Sequence, residues 1–445
     1  MKYKLSSVVN RNIIRASLIT AALVLWAGQT EAATHFVRSG ASGDGSSWAS
    51  AWGDLSSIQW SSLSAGDTVC IAGGTYSGSI TTGANGASGT PIVLRRAAAS
   101  DGTCGSSTSG WNSVYDGQVV MRGTINIQNS YITIDGMKPN GISVIMQNPS
   151  DSYAGVSTGA PSSNVTLRYI EIAGPCANGQ GCAQNGDQRG IQMESWNGSN
   201  WAALSDWLIQ YANVHGACNN MVIYGAQNLV VEHSRFADSN TTGSTSYCHP
   251  NVVNTGSSNN VTWRYNEVTN WQVEGIMLLG GSGTWNVYGN VWHDPMSGSY
   301  PRVVETQDGS EGPVYLYNNT FSNLYFVCAN IAGGTWASGT RGRNNIYWKS
   351  GGACGLPDED NDYSDQSLSG EVHGQGSAPN PFVDLSGQDY QLASHTQSGL
   401  ALPSPFNIDP DGKTRGLDGI WDRGAYQYGS SSAPAAPANL TTSVH

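Results

Sequence analysis

Charge is scarce in this chain. Only 12% of its 445 residues are Asp, Glu, Lys or Arg. Soluble helices use Lys, Glu, Arg, Leu and Ala freely and avoid glycine. With 56 glycines and so few charges, the chain is not a helical protein. The glycines have no period of three, which excludes a collagen-like rod. Basic residues are the scarcer sign, 20 against 32 acidic ones, and the net charge of −12 excludes the cationic footprint of a nucleic-acid binder. Phenylalanine is rare at 6, but 15 Trp and 20 Tyr accompany a hydrophobic fraction of 39%. That is enough apolar surface to bury a core, so the chain is not disordered. An all-β protein rich in turns is left.

The first residues read as an export signal. Lys2, Lys4, Arg11 and Arg15 precede an apolar stretch from Ala16 to Ala27, and small residues follow at Ala32 and Ala33. The apolar stretch is too short for a comfortable membrane anchor. Residues 1–33 are therefore expected to be a signal peptide, giving a secreted or periplasmic protein with no membrane span. Loss of those four basic residues and Glu31 takes the net charge from −12 to −15 and leaves Lys138, Lys349 and Lys413 as the lysines.

No Cys-x-x-Cys pair or Cys/His zinc spacing occurs. In an exported chain the eight cysteines point to disulfides. Neighbours are expected to pair: Cys70 with Cys104, Cys176 with Cys182, Cys218 with Cys248, and Cys328 with Cys354.

The middle of the chain repeats. Asn164 to Ile172, Trp207 to Val214, Asn228 to Phe236, Asn260 to Val268, Trp285 to Trp292 and Val314 to Phe321 share one pattern. Each alternates apolar residues, bends, and adds a second short apolar piece. Most follow another short strand, such as Gly190 to Met193 or Gly275 to Leu278. Periods of roughly 20–50 residues mark solenoids. Short strands with no helical stretch between them mark a β-helix, whose coils bury their apolar faces against one another. Asn266, Asn290 and Asn319 recur at one bend and are expected to form an asparagine ladder.

At this point the chain resembles the exported right-handed parallel β-helix repeat proteins, polysaccharide-lyase-like and of the pectin-lyase-like superfold. The stretches Phe36-Val37-Arg38, Gly43 to Trp48, Ala65 to Val69, Gly73 to Tyr76 and Gly89 to Ile92 are similar to the usual first coil of that family. Asp409 to Arg415 and Asp422 to Tyr426 resemble its closing segment. The resemblance implies an all-β, single-stranded right-handed parallel β-helix with an N-terminal cap over residues 34–428. A Ser/Ala/Pro-rich tail follows over 429–445. It implies fold more than function, since lyases, hydrolases, epimerases and surface proteins share it.

Loops of uneven length, near 173–189, 195–205, 237–248 and 293–301, are expected to flank a groove for an extended polymer. The strands entering that groove begin with Arg189, Asn219, His249 with Asn251, Glu274, and Tyr300 with Arg302, stacked about 5 Å apart. Arginine forks onto a uronate carboxylate, and His249 or Tyr300 would move the proton α to it. His249, Arg302, Arg189 and Tyr300 are thus the expected catalytic set. Asn219, Asn251, Trp196, Trp201 and His293 are expected to bind substrate, and Trp271, Trp292 and Tyr300 are further candidates for stacking on sugar rings. No cofactor is required. Glu274 and Asn251 could instead hold a Ca²⁺, or orient His249. Asp358, Asp360 and Asp362 alternate like calcium ligands but lack the central glycine of an EF-hand, and read as a turn. His233 reads as packing or surface.

A groove lysine and clustered aspartates, which a calcium-dependent pectate lyase would need, are missing. The expected function is an exported, monomeric polysaccharide lyase acting on an anionic, uronic-acid polymer by β-elimination. The alternatives are a glycoside hydrolase using two of Glu194, Glu274 and Glu305, or a non-catalytic polysaccharide-binding surface protein.

Overall fold

The structure is a computed structural model. It describes residues 32–147, 153–175, 187–194, 196, 204–241, 248–281, 283–296, 301–307, 311–330 and 336–429. Tyr300, Trp201, Cys176, Cys182, residues 1–31 of the expected export signal (1–33) and residues 430–445 of the tail lie outside them.

The chain winds as a right-handed parallel β-helix. Among the described residues it visits three parallel sheets in turn: sheet A of 13 strands, sheet B of 11 and sheet C of 9. One antiparallel hairpin, Phe382–Asp384 with Asp389–Leu392, stands apart. Among the described residues the helical elements are short 3-10 turns, such as Leu55–Ser57, and no helix is long and apolar enough to cross a membrane.

Stacking puts like residues of successive coils in contact. In sheet A, Val231 pairs with Trp263, Trp263 with Val287, and Val287 with Leu316, all in the core. A lone coil would leave this face in water, so the fold is held by its neighbours. At the N-terminal end Trp52, Leu55, Ile58 and Leu63 close the core. Beside them Trp48 packs on Phe36, Trp111 and Tyr115 next to the Cys70–Cys104 disulfide.

The asparagine ladder forms and is longer than expected. The Oδ1 atoms of Asn290, Asn319 and Asn345 accept from the backbone N–H of Asn266, Asn290 and Asn319, at 2.9, 3.1 and 3.1 Å. Their Nδ2 groups donate to the carbonyls of Trp263, Val287 and Leu316. A bend buried between coils would otherwise strand these backbone groups without water. Asp362 ends the ladder, accepting from Asn345 N–H at 2.6 Å. It is fully buried at the bend between the strands Glu359–Asp360 and Tyr363–Ser364.

One residue before the ladder, the chain takes a left-handed conformation. Tyr169, Tyr211, His233 and Tyr265 have φ between 48° and 58°. Their rings stack coil on coil with centroids 4.8, 5.3 and 5.1 Å apart. His233 is therefore a packing residue.

The segment after residue 378 folds back over the corner of sheets A and B. Phe406 packs on Tyr288 and Tyr317, Trp421 donates to Asn318, and Tyr390 lies against His293.

Candidate active site

Sheet C carries the expected column, and its local geometry explains which side chains meet. In each of these strands two consecutive residues face the core: Val252 and Val253, then Val303 and Val304, are all buried in the main cluster. Simple alternation is broken there by one residue. Residues three apart then share the outer face, and Arg302 and Glu305 come together across that step.

Register sets the order. Arg189 pairs with Asn219, and Glu274 with Arg302. Val253 pairs with Ile276, which brings Asn251 level with Glu274. Arg189 and Arg302 are thus four strand spacings apart, roughly 19 Å.

Three of the expected residues form one cluster. Glu274 Oε2 lies 3.0 Å from His249 Nδ1, and its Oε1 lies 3.4 Å from Arg302 Nη1. The His249 contact is an ion pair set off the line of a good hydrogen bond, because the same Nδ1 also faces Asn251 Oδ1 at 3.1 Å. Arg302 Nη1 reaches Glu305 Oε2 at 2.8 Å, and Gln307 donates to Glu305 Oε1 at 3.3 Å. Both carboxylates are nearly sealed, with side chains 2% and 1% exposed. The Cys218–Cys248 disulfide joins neighbouring coils immediately before Asn219 and His249 and fixes where the imidazole starts.

The electrostatics follow from this burial. Glu305 is pushed up to about 7, first by loss of water and then by the charge of Glu274; Gln307 and Arg302 oppose the rise. His249 is raised above its usual value, chiefly by its contact with Glu274, against the effect of partial burial. A carboxyl raised to about 7 therefore adjoins Arg302, and a histidine raised above its usual value is linked to that arginine through Glu274.

Arg189 belongs to a second cluster. Its Nη2 lies 2.6 Å from Asp187 and its Nη1 3.0 Å from Glu194, while Asn219 donates to Asp187 at 3.2 Å. Gln192 donates to Glu194 at 2.9 Å. The arginine is already matched by two carboxylates and does not touch His249.

Other expectations need correction. His293 does not open onto the groove. It lies in sheet B, its side chain 1% exposed, with Nδ1 3.0 Å from Asp294 and Nε2 3.3 Å from Glu267. Trp271 and Trp292 are core residues and cannot stack on a sugar. Trp196 is exposed. Of the suggested Ca²⁺ pair, Glu274 has its oxygens on Arg302 Nη1 and His249 Nδ1, and Asn251 lies between His249 Nδ1 and Met277 Sδ. Among the described residues, no group of three or more His, Cys, Asp or Glu is arranged to hold a metal ion. Disulfides join Cys70 to Cys104, Cys218 to Cys248 and Cys328 to Cys354, as the spacings suggested.

Asp187, Gln192 and Gln307 were missed because glutamine and aspartate are common in polar strands.

No protein-family model matches the chain, and no curated protein matches it in sequence. Solved structures do match in shape. A pectate lyase, Pel9A, is 13% identical over 89% of this chain and 98% of its own, with a TM-score of 0.48. XylC, solved in complex with xylose, is 8% identical over the same shares, also at 0.48. An alginate lyase from Paenibacillus sp. str. FPU-7 is 14% identical over 68% of this chain and 98% of its own, at 0.37. Their likeness lies in the stacked parallel-strand architecture described above.

Proposed function

We propose that the chain is an extracytoplasmic polysaccharide lyase that cleaves a uronic-acid polymer by β-elimination at the His249–Glu274–Arg302–Glu305 cluster. The observation that carries the reading is that cluster: a histidine, an arginine and two sealed carboxylates on three neighbouring coils, at the outer face of one sheet. The disulfides support an oxidising compartment.

In this reading Arg302 receives the substrate carboxylate. It can do so when Glu305 is protonated, because its charge is then shared with Glu274 alone. Protonated Glu305 and imidazolium His249 give the cluster a net charge of +1; ionised Glu305 and neutral His249 give −1. As Glu305 ionises around 7 the cluster loses one positive unit and its pull on an anionic chain weakens, and loss of the His249 proton weakens it further. Neutral His249 takes the proton from the carbon α to the carboxylate, through Nε2, since Nδ1 faces Glu274 and Asn251. The electron pair forms the new double bond as the β carbon–oxygen bond breaks, and the leaving oxygen takes a proton from solvent, since Glu305 stays sealed against Arg302. Glu274 orients His249 and balances its charge. The steps as drawn use these side chains alone, so chelation is expected to leave the rate unchanged, and a loss of rate on chelation would point to the Ca²⁺ alternative.

A second reading, glycoside hydrolysis, is favoured by one observation: Glu274 and Glu305 both lie against the same Arg302 nitrogen, one of them raised to about 7. Incubation with a panel of polyuronates and neutral polysaccharides separates the readings. Lyase action yields ultraviolet absorbance from an unsaturated uronate. New reducing ends without that absorbance mean hydrolysis. Retention without cleavage means a binding protein.

A further inference from the structure

Beyond the charged cluster, the next coil carries an exposed aromatic pair. Tyr325 and Phe326 lead into the strand Cys328–Asn330, which pairs directly with the strand of Arg302 and Glu305. Their rings meet edge to face, centroids 4.5 Å apart, and they are 59% and 43% exposed. Among the described residues most large aromatics are buried or half-buried, so an adjacent exposed pair stands out as a surface for contact.

The pair is also firmly held. Leu324 on one side and Val327 on the other are buried in the core. The backbone is tied in by Gly351 N–H to Leu324 carbonyl at 2.9 Å, and by Val327 carbonyl to the N–H groups of Val303 and Val304. The Cys328–Cys354 disulfide follows at once. Rings mounted on rigid backbone lose little freedom when a flat ligand stacks on them.

We propose that Tyr325 and Phe326 form a stacking platform for a pyranose ring of the polysaccharide, one coil beyond the cleavage cluster. This deepens the reading above and rests on it for the identity of the polymer. The occupant is argued from three features. A pyranose has an apolar C–H face that suits an aromatic ring, with hydroxyls at its rim for water. The coil rise of about 4.8 Å is close to the length of one sugar unit in an extended chain. The strand of the charged cluster is the immediate neighbour, so a chain lying across the coils and held at Arg302 reaches the pair with its next unit.

The test is affinity electrophoresis in gels containing polygalacturonate or alginate, with polyacrylate as an anion lacking sugar rings. Tyr325→Ala with Phe326→Ala is expected to weaken retention by at least one polyuronate about 10-fold. Tyr325→Phe with Phe326→Tyr should retain it, and polyacrylate should not distinguish the three proteins. Because the pair is exposed, the melting temperature should stay the same. The proposal is overturned if the alanine variant is retained as wild type, or if wild type is not retained by either polyuronate. It is equally overturned if wild type sediments as a dimer that the alanine variant does not form, which would make the pair a protein interface. Cleavage is scored separately. Pair-dependent retention without cleavage defeats the lyase reading and leaves the platform standing, and cleavage with pair-independent retention does the reverse.

Discussion

His249 and His293 have similar partners and opposite surroundings. Each faces carboxylates, and each is raised above its usual value by them. His293 has both ring nitrogens engaged and is shut in by Tyr390, whose hairpin arrives from the far end of the chain. Its neighbour Asp294 is held down to about 2 by that contact. His249 has its contacts on Nδ1 and keeps 38% of its side chain exposed. The carboxylate next to a histidine does not distinguish structure from chemistry. What does is whether one nitrogen is left facing solvent.

Substitution can break that comparison. His249→Ala should lower kcat/KM on the cleaved polymer by about 10²–10⁴-fold, with little change in melting temperature. If the rate survives, the site is elsewhere. His293→Ala should do the opposite, leaving kcat/KM per folded molecule unchanged while unfolding in denaturant reports a loss of about 3 kcal/mol. Its folded-state value is raised, so the stability it adds is complete below its unfolded value near 6.5 and disappears as pH rises through the folded one. The gap between wild type and His293→Ala should therefore narrow at alkaline pH. An unchanging gap would mean packing, not charge, is what His293 supplies.

Glu305 sharpens the contrast from the acid side. A carboxyl raised from 4.5 to about 7 favours the fold below 4.5 and costs stability progressively up to 7. Glu305→Gln should thus be more stable than wild type at pH 8, by about 3 kcal/mol at most, with the advantage shrinking toward acid pH. The smallest expected effect lies in the ladder. Asn290→Ala strands buried backbone groups and should cost about 1–3 kcal/mol without touching activity.

Much of the architecture was legible in the strand repeat, because period-two alternation and the recurring Asn266, Asn290 and Asn319 are dictated by coil-on-coil contact. The column from Arg189 to Arg302 could be read from strand starts. The partnership of Arg302 with Glu305 could not, because it depends on Val303 and Val304 both turning inward, against alternation. The fate of His293 was hidden for another reason. Its cover, Tyr390, is distant in sequence and belongs to a segment with no repeat signal. Tyr325 and Phe326 were passed over because an apolar pair in a β chain reads as core until exposure is known.

The central claim is that Glu305 and His249 jointly gate an anionic chain at Arg302. The direct test is the pH dependence of KM for the cleaved polyuronate in wild type and in Glu305→Gln. Wild-type KM should rise steeply as pH passes about 7, and the rise should flatten in Glu305→Gln, which stays neutral at that position. The same steep curve in both proteins, or a flat one in wild type, would contradict the account.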